Sequence, residues 1–210
     1  MNKSREDSIL QILVRLADAK YCLGRRYGHW CCSGPTLEAS VAAASMAGDE
    51  VGHARVLYPL FKKIENAPKE MTVVADRTDF KVPEFLKEDW DSWTDFVAVS
   101  CIFDTAMTIV LESLKESSFE FFSSRIPKML QEENYHEIFS FGWFGLLSEE
   151  AKDDLKKSVK KIYPETVKWL SFEDEELMKT AKQERVINKD SNELIKAFET
   201  KIQSLMETLN

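Results

Sequence analysis

Two E-x-x-H motifs, Glu50-x-x-His53 and Glu133-x-x-His136, restrict this chain to folds that accommodate polar side chains in a core. A spacing of three residues places the Glu and the His of each motif on one helix face. That face is apolar in both motifs, since the same helical lines carry Ala43, Met46, Leu57 and Leu60 in the first case and Ile126, Met129, Trp143 and Leu147 in the second. An unpaired buried charge is costly. The motifs therefore predict either convergence on a metal ion or two hydrogen-bonded Glu–His pairs without metal.

Apolar residues recur at helical spacing along most of the chain, which contains only seven glycines and six prolines. This pattern favours long helices over a sheet of short strands. The first three predicted helices cover about residues 5–30, 36–65 and 90–116, and a fourth follows and ends at about 147. A fifth begins at Ser148-Glu149-Glu150 and ends near Pro164. Two more cover about residues 165–184 and 191–208.

Residues 66–89, which contain Pro68 and Pro83 and many charges, are predicted to form a long crossover. Two antiparallel helix pairs joined by one long crossover are typical of an all-α, ferritin-like four-helix bundle. We therefore expect a single domain over residues 1–210, with the core bundle at about 5–147 and C-terminal helices at about 148–208.

Charge and cysteine usage limit the cellular setting. The formal net charge is −8 and there is no basic block, so nucleic-acid binding is not expected. The charged N-terminus and the interrupted apolar run after it predict neither a signal peptide nor a membrane span. The cysteines Cys22, Cys31, Cys32 and Cys101 lack CxxC spacing, which favours a reducing cytoplasm.

The third predicted helix supplies a further candidate ligand, Asp104. It lies inward, seven residues after Val97 and seven before Leu111. A core Asp that caps a backbone group or pairs with a cation is the alternative. Glu112 is a poor ligand because it lies about 12 Å further along the same helix, from the rise per residue.

The first helix departs from the expected ligand pattern, because Lys20 occupies the inward position that should carry a Glu. It follows Leu13 and Leu16 on the apolar line, whereas Asp18 belongs to the opposite stripe, which we predict to be solvated. The Lys20 ammonium could replace one metal charge or act as a proton donor. Alternatively, its side chain extends out of the bundle to solvent.

At these residues the chain resembles the ferritin-like subunits of phenylacetyl-CoA epoxidase, a multicomponent monooxygenase of phenylacetate degradation. The stretch LADAKYCLGRRYGHWCCSGPTLEASVAAASMAGDEVGHAR resembles the first helix pair of that family, and the Leu23-Gly24-x-Arg26 pattern resembles its structural subunit. DEVGH and EENYH resemble instead the catalytic subunit, so the chain is intermediate between the two types. The resemblance covers about residues 8–175 at modest identity.

The resemblance implies a ligand set of Glu50, His53, Asp104, Glu133 and His136, with Lys20 in the place of the first-helix Glu. It also implies iron, as one or two ions, and activation of dioxygen for transfer of oxygen to an acyl-CoA or aromatic substrate. The expected partners are a second copy of the chain or other oxygenase subunits, and a separate reductase if the chain is catalytic.

Three functions remain open from the sequence. The first, which we favour, is an oxygenase or oxygenase subunit, because five of six ligand-type residues are present. The second is a non-catalytic structural subunit in which Lys20 and the carboxylates form a salt-bridged, degenerate metal site. Iron storage or peroxidase activity is the least supported, because the crossover and C-terminal helices differ from a minimal storage cage.

Overall fold

The computed structural model describes residues 3–64, 67 and 77–209 of the chain. Within these residues it contains seven α-helices and no β-strand, which confirms the all-α, ferritin-like class. The helices are α1 (Lys3–His29), α2 (Leu37–Leu57), α3 (Trp93–Leu114), α4 (Glu120–Glu150), α5 (Lys152–Leu170), α6 (Glu175–Gln183) and α7 (Ser191–Thr208), with 3₁₀ helices at Tyr58–Lys63 and Glu84–Leu86. Residues 1–2, 65–66, 68–76 and 210, which include much of the predicted crossover, lie outside the described residues.

The chain divides into two compact units. The first comprises Met1–Asp89 and Glu176–Glu184, and the second comprises Trp90–Glu175 and Arg185–Asn210. The prediction of a single domain remains a prediction.

In the first unit, α1 and α2 pack against each other as an antiparallel pair. Thr36 caps α2 by accepting a hydrogen bond from the backbone N–H of Ala39 at 3.1 Å. The helices approach closely at Gly24, where an added Cβ would lie 2.7 Å from the Val51 side chain and 3.2 Å from the Ala47 carbonyl oxygen. Glycine at this position therefore sets the spacing of the pair.

The α2 helix ends earlier than the predicted boundary near residue 65. It stops at Leu57, and the chain continues as the 3₁₀ helix Tyr58–Lys63 with Pro59 in its first turn. Proline at that position lacks the N–H that would continue the α-helical ladder. The predicted inward residues of α2, including Ala43 and Met46, are buried.

The prediction that Asp18 of α1 is solvated is wrong, because its side chain has no exposed surface. Asp18 Oδ1 accepts hydrogen bonds from Tyr58 Oη and Arg77 Nη1, both at 2.8 Å. Asp18 Oδ2 accepts from Arg77 Nη2 at 2.9 Å and from the Lys81 backbone N–H at 2.8 Å. Burial raises the pKa of Tyr58, and the neighbouring Asp18 carboxylate raises it further, so the phenol remains a hydrogen-bond donor. The buried carboxylate is thus tolerated because residues 77–81 supply a cation and an amide.

In the second unit, α3 contacts α4, α5 and α7. Ser92 caps its start by accepting a hydrogen bond from Asp95 N–H at 3.2 Å. Every residue from Phe96 to Leu111 is buried. The helix is long and apolar enough to cross a membrane, but 94% of its most apolar window is buried inside the structure. A helix that is apolar all round fits the centre of a helical core.

Two predicted boundaries in the second unit are wrong. Ser148-Glu149-Glu150 does not start α5 but completes α4, and the break falls at Ala151. Pro164 does not end α5, which continues to Leu170 and buries Trp169. Proline forfeits one helical hydrogen bond, and burial of the last turn offsets that loss.

Candidate metal centre

The second unit gathers three of the sequence-predicted ligands, Asp104 from α3 and Glu133 and His136 from α4. Each offers one donor atom, and these atoms all lie within 4.8 Å of one another. His136 Nδ1 lies 3.4 Å from Asp104 Oδ2 and 3.7 Å from Glu133 Oε2. The three residues are between 1% and 3% exposed. Two carboxylates and an imidazole thus share one buried site.

The local sequence explains this placement. Glu133 and His136 lie on the buried face of α4, between Met129 and Ser140. The Ser140 hydroxyl donates to the His136 carbonyl oxygen at 2.7 Å, and the Cys101 thiol donates to the Ser140 carbonyl oxygen at 3.1 Å. These contacts tie α3 to α4 one turn beyond His136.

The Cys101 thiol itself is not a candidate ligand. Burial is the main cause that raises the pKa of the Cys101 thiol well above its usual range, and the nearby charge of Asp104 adds to it. A thiol binds metal as the thiolate. Cys101 therefore acts as a neutral packing group beside the cluster.

The donor set fits a first-row transition metal. Carboxylate oxygens and imidazole nitrogens suit iron, manganese or zinc. Metal–ligand distances of about 2.0–2.2 Å place neighbouring donor atoms roughly 3–4 Å apart, which is the range of the two His136 distances. Asp104, Glu133 and His136 therefore match a metal site in chemistry and in spacing.

In the first unit, α1 and α2 bring together Lys20 and Glu50, which are 30 residues apart in sequence. Lys20 Nζ lies 2.9 Å from Glu50 Oε1, and neither side chain has exposed surface. This burial excludes the alternative in which Lys20 extends to solvent. Lys20 is instead a buried countercharge for Glu50.

The remaining candidates have different surroundings. His53 lies one turn after Glu50 on the buried face of α2 and is 4% exposed. The Asp18 oxygens face Arg77 and Tyr58. Glu112 is exposed, away from the apolar face of α3.

Sequence reasoning missed the Arg77–Asp18 pair. Arg77 lies in the predicted crossover, 59 residues from Asp18. No local pattern in the sequence points to a contact over that separation.

The structure defines a class, an all-α protein of the ferritin-like type with a buried carboxylate–histidine cluster. The chain matches the family described as "Phenylacetic acid catabolic protein" over residues 1–210, and it belongs to that family. It is also similar to one of the subunits of the 1,2-phenylacetyl-CoA epoxidase of Escherichia coli (strain K12), with 26% identity over 132 residues. The match covers 62% of this chain and 53% of that protein, so it spans about half the relative's length. The predicted family resemblance is confirmed.

Proposed function

We propose that the chain is a metal-binding subunit of an oxygenase in phenylacetate-type catabolism, acting on an acyl-CoA or aromatic substrate. The observation that carries the proposal is the buried cluster of Asp104, Glu133 and His136. The family membership and the name of the relative, which is part of an epoxidase, support the class of reaction. Glu50 and His53 belong to the proposed ligand set on the strength of the sequence motif.

Charge balance favours one metal ion over two. The Lys20 ammonium neutralises the Glu50 carboxylate at 2.9 Å. Asp104 and Glu133 then supply a charge of −2, which balances a single divalent ion. A second divalent ion would leave an excess of +2 among buried groups, where repulsion is poorly screened. We therefore propose iron at a stoichiometry of at most one per chain.

Bound iron would supply the activation of dioxygen. In a monooxygenation, one oxygen atom enters the substrate and the other leaves as water, which consumes two electrons and two protons. We propose a separate reductase as the electron source. Within the chain, His136 and Glu133 would hold the metal from one helix face, and their burial would exclude water from the site.

The assembly and location follow from the same proposal. The relative is named as one subunit of an epoxidase, so we propose a hetero-oligomer with other oxygenase subunits, or a homodimer. A cytoplasmic location remains the proposal made from cysteine usage.

A second candidate, a non-catalytic structural subunit, is favoured by the Lys20–Glu50 contact. An ion pair between two side chains without exposed surface satisfies part of a polar core without any metal. In this case Asp104, Glu133 and His136 would form a degenerate site.

Iron analysis of Lys20→Glu protein separates these functions. Iron is supplied during expression, chelators are omitted, and iron per chain is measured by mass spectrometry. We expect at most one iron in wild type and more in the variant, because the change removes a cation and adds a ligand. Lys201→Glu is the matched control, since Lys201 pairs with Glu137 at a partly exposed site outside the ligand set.

A second comparison tests the ligands directly. Asp104→Asn should lower iron content, whereas Glu112→Gln, at an exposed position of the same helix, should not. Iron-free wild type and Lys20→Glu proteins would support the structural subunit. Two irons per chain in both proteins would show that Lys20 lies outside the site and would contradict the charge argument.

A further inference from the structure

A separate cavity of about 230 Å³ lies in the first unit. Its lining includes, from α1, Cys22, Arg25 and Arg26, and, from residues 77–87, Arg77, Phe80 and Lys87. No carboxylate is present among the described residues that line it. Four cations thus surround one small cavity in a chain whose net charge is −8.

The guanidinium of Arg26, which lines the cavity, is held by two backbone carbonyl groups and one carboxylate. Arg26 Nε donates to the Leu86 carbonyl oxygen at 3.0 Å, Nη2 donates to the Lys87 carbonyl oxygen, and Nη1 pairs with Asp89. A guanidinium carries five N–H donors, so donors remain after these contacts. Arg26 is therefore fixed in place and can still bind an anion.

Arg25 and Arg77 are aligned by a stack of two aromatic rings. The Arg25 guanidinium lies 5.9 Å from the centroid of Tyr21, which stacks on Phe80 at 5.4 Å. The Arg77 guanidinium lies 5.0 Å from the Phe80 centroid on the same ring system. Cation–π contacts of this kind orient arginines without using their hydrogen-bond donors.

Three of the four carboxylates that pair with these cations are mostly exposed. Asp89, Asp79 and Glu84 have side chains that are 77%, 74% and 67% exposed. Ion pairs at such positions are weak because water and salt screen them. Asp18 is the exception, because it is buried and neutralises Arg77. Arg25 contacts a ring, and the carboxylate partners of Arg26 and Lys87 are exposed, so a phosphate can compete with them.

We propose that this cavity binds a phosphate group; coenzyme A as its source rests on the proposed function, whereas the phosphate site rests on the cavity alone. Arginine and lysine together suit a phosphate, since guanidinium N–H groups pair with its oxygens and the ammonium adds a point charge. At about 230 Å³ the cavity is smaller than the roughly 300–1,000 Å³ of pockets for whole small molecules. It therefore takes the phosphate of a larger ligand, such as a coenzyme A derivative, or a free phosphate ion.

Cys22 does not oppose this assignment. Burial, and to a smaller extent the negative charge of Asp18, raises the pKa of the Cys22 thiol to about 12. The thiol therefore contributes no negative charge to the cavity near neutral pH.

Isothermal titration calorimetry with four probes tests the site. The probes are inorganic phosphate, coenzyme A, dephospho-coenzyme A and pantetheine, which carries no phosphate. We expect saturable binding of one or more phosphate-bearing probes, weakened by added salt, and no binding of pantetheine. Binding should persist in the Asp104→Asn variant, so failure of the metal proposal and failure of this one are distinguishable.

Arg25→Gln is the variant of choice, because Arg25 is exposed and its loss leaves the Asp18–Arg77 pair intact. Loss of one charge-assisted contact predicts about tenfold weaker binding. Arg125→Gln is the matched control, because Arg125 also lies over a ring, at 5.8 Å from the Phe121 centroid, in the other unit. Its binding should equal that of wild type.

Each outcome decides the proposal. Tight coenzyme A and weak inorganic phosphate identify a coenzyme phosphate, and the reverse identifies the free ion. The proposal is overturned if no phosphate-bearing probe binds in the millimolar range, if pantetheine binds as well as coenzyme A, or if Arg25→Gln and Arg125→Gln behave alike.

Discussion

The buried carboxylate of Asp18 offers the sharpest test of how the first unit is held together. Its two oxygens accept four hydrogen bonds, from Tyr58, from Lys81 and twice from Arg77. Asp18→Asn keeps the size of the side chain but replaces one acceptor oxygen by an NH₂ group. In the place of Oδ2, the NH₂ group faces two donors, from Arg77 and Lys81. In the place of Oδ1 it faces the Arg77 donor, and the Tyr58 hydroxyl can turn to accept instead.

The magnitude follows from these contacts. One or two lost hydrogen bonds, depending on the orientation of the amide, account for about 1 kcal/mol each. In addition, the Arg77 guanidinium, whose side chain is 6% exposed, loses its buried countercharge. Removal of one partner of a buried ion pair costs about 3–5 kcal/mol in total. We expect the free energy of unfolding of Asp18→Asn to fall by that amount.

Urea denaturation followed by circular dichroism measures the change. Asp79→Asn is the control, because Asp79 contacts the same Arg77 at 3.3 Å but is 74% exposed, so a loss of less than about 1 kcal/mol is expected. In an Arg77→Gln background, Asp18→Asn should cost less than in wild type, because the buried cation is absent. If Asp18→Asn and Asp79→Asn destabilise the protein equally, the buried network does not stabilise the first unit.

Two further predictions concern packing and thiol exposure. Gly24→Ala should lower the free energy of unfolding by about 1–3 kcal/mol, because its Cβ would lie 2.7 Å from Val51 Cγ2; Gly28→Ala, with nothing within 4 Å, should be neutral or stabilising in the same urea assay. Two of the four cysteines, the exposed Cys31 and Cys32, should react rapidly with a thiol reagent in the native protein, and all four in denaturant. Rapid reaction of a third thiol would show that the assigned burial of Cys22 or Cys101 is incorrect.

The sequence predicted those features that depend on local periodicity. The α2 residues Ala43, Met46 and Leu57 are buried as expected, because a hydrophobic stripe at helical spacing must find a partner surface. The same argument placed Glu133 and His136 on one face of α4, since residues three apart are neighbours on a helix.

Features that depend on long-range partners were not predictable in this way. Asp18 was assigned to solvent by its polarity, and only residues 77–81, far along the chain, make its burial favourable. The limits of α5 failed for a related reason. Pro164 is a helix breaker by propensity, but burial of Trp169 and Leu170 extends the helix beyond it.

The candidate site shows the same division. Lys20 was expected on the buried face of α1 from its position among apolar residues. That it contacts Glu50 at 2.9 Å depends on the antiparallel register of α1 and α2, which no single helix encodes. That Glu50 and His53 are ligands of the metal site remains a prediction.

The all-round burial of α3 has a consequence for the order in which the protein is made. Its neighbours α4, α5 and α7 all follow it in the chain, and α7 begins only at Ser191, well after α3 ends at Leu114. At roughly 5–20 residues per second, a ribosome needs several seconds to produce that stretch. During this interval the most apolar helix of the chain lacks part of its cover. Nascent chains released before α7 is complete should therefore be the ones that aggregate or engage chaperones.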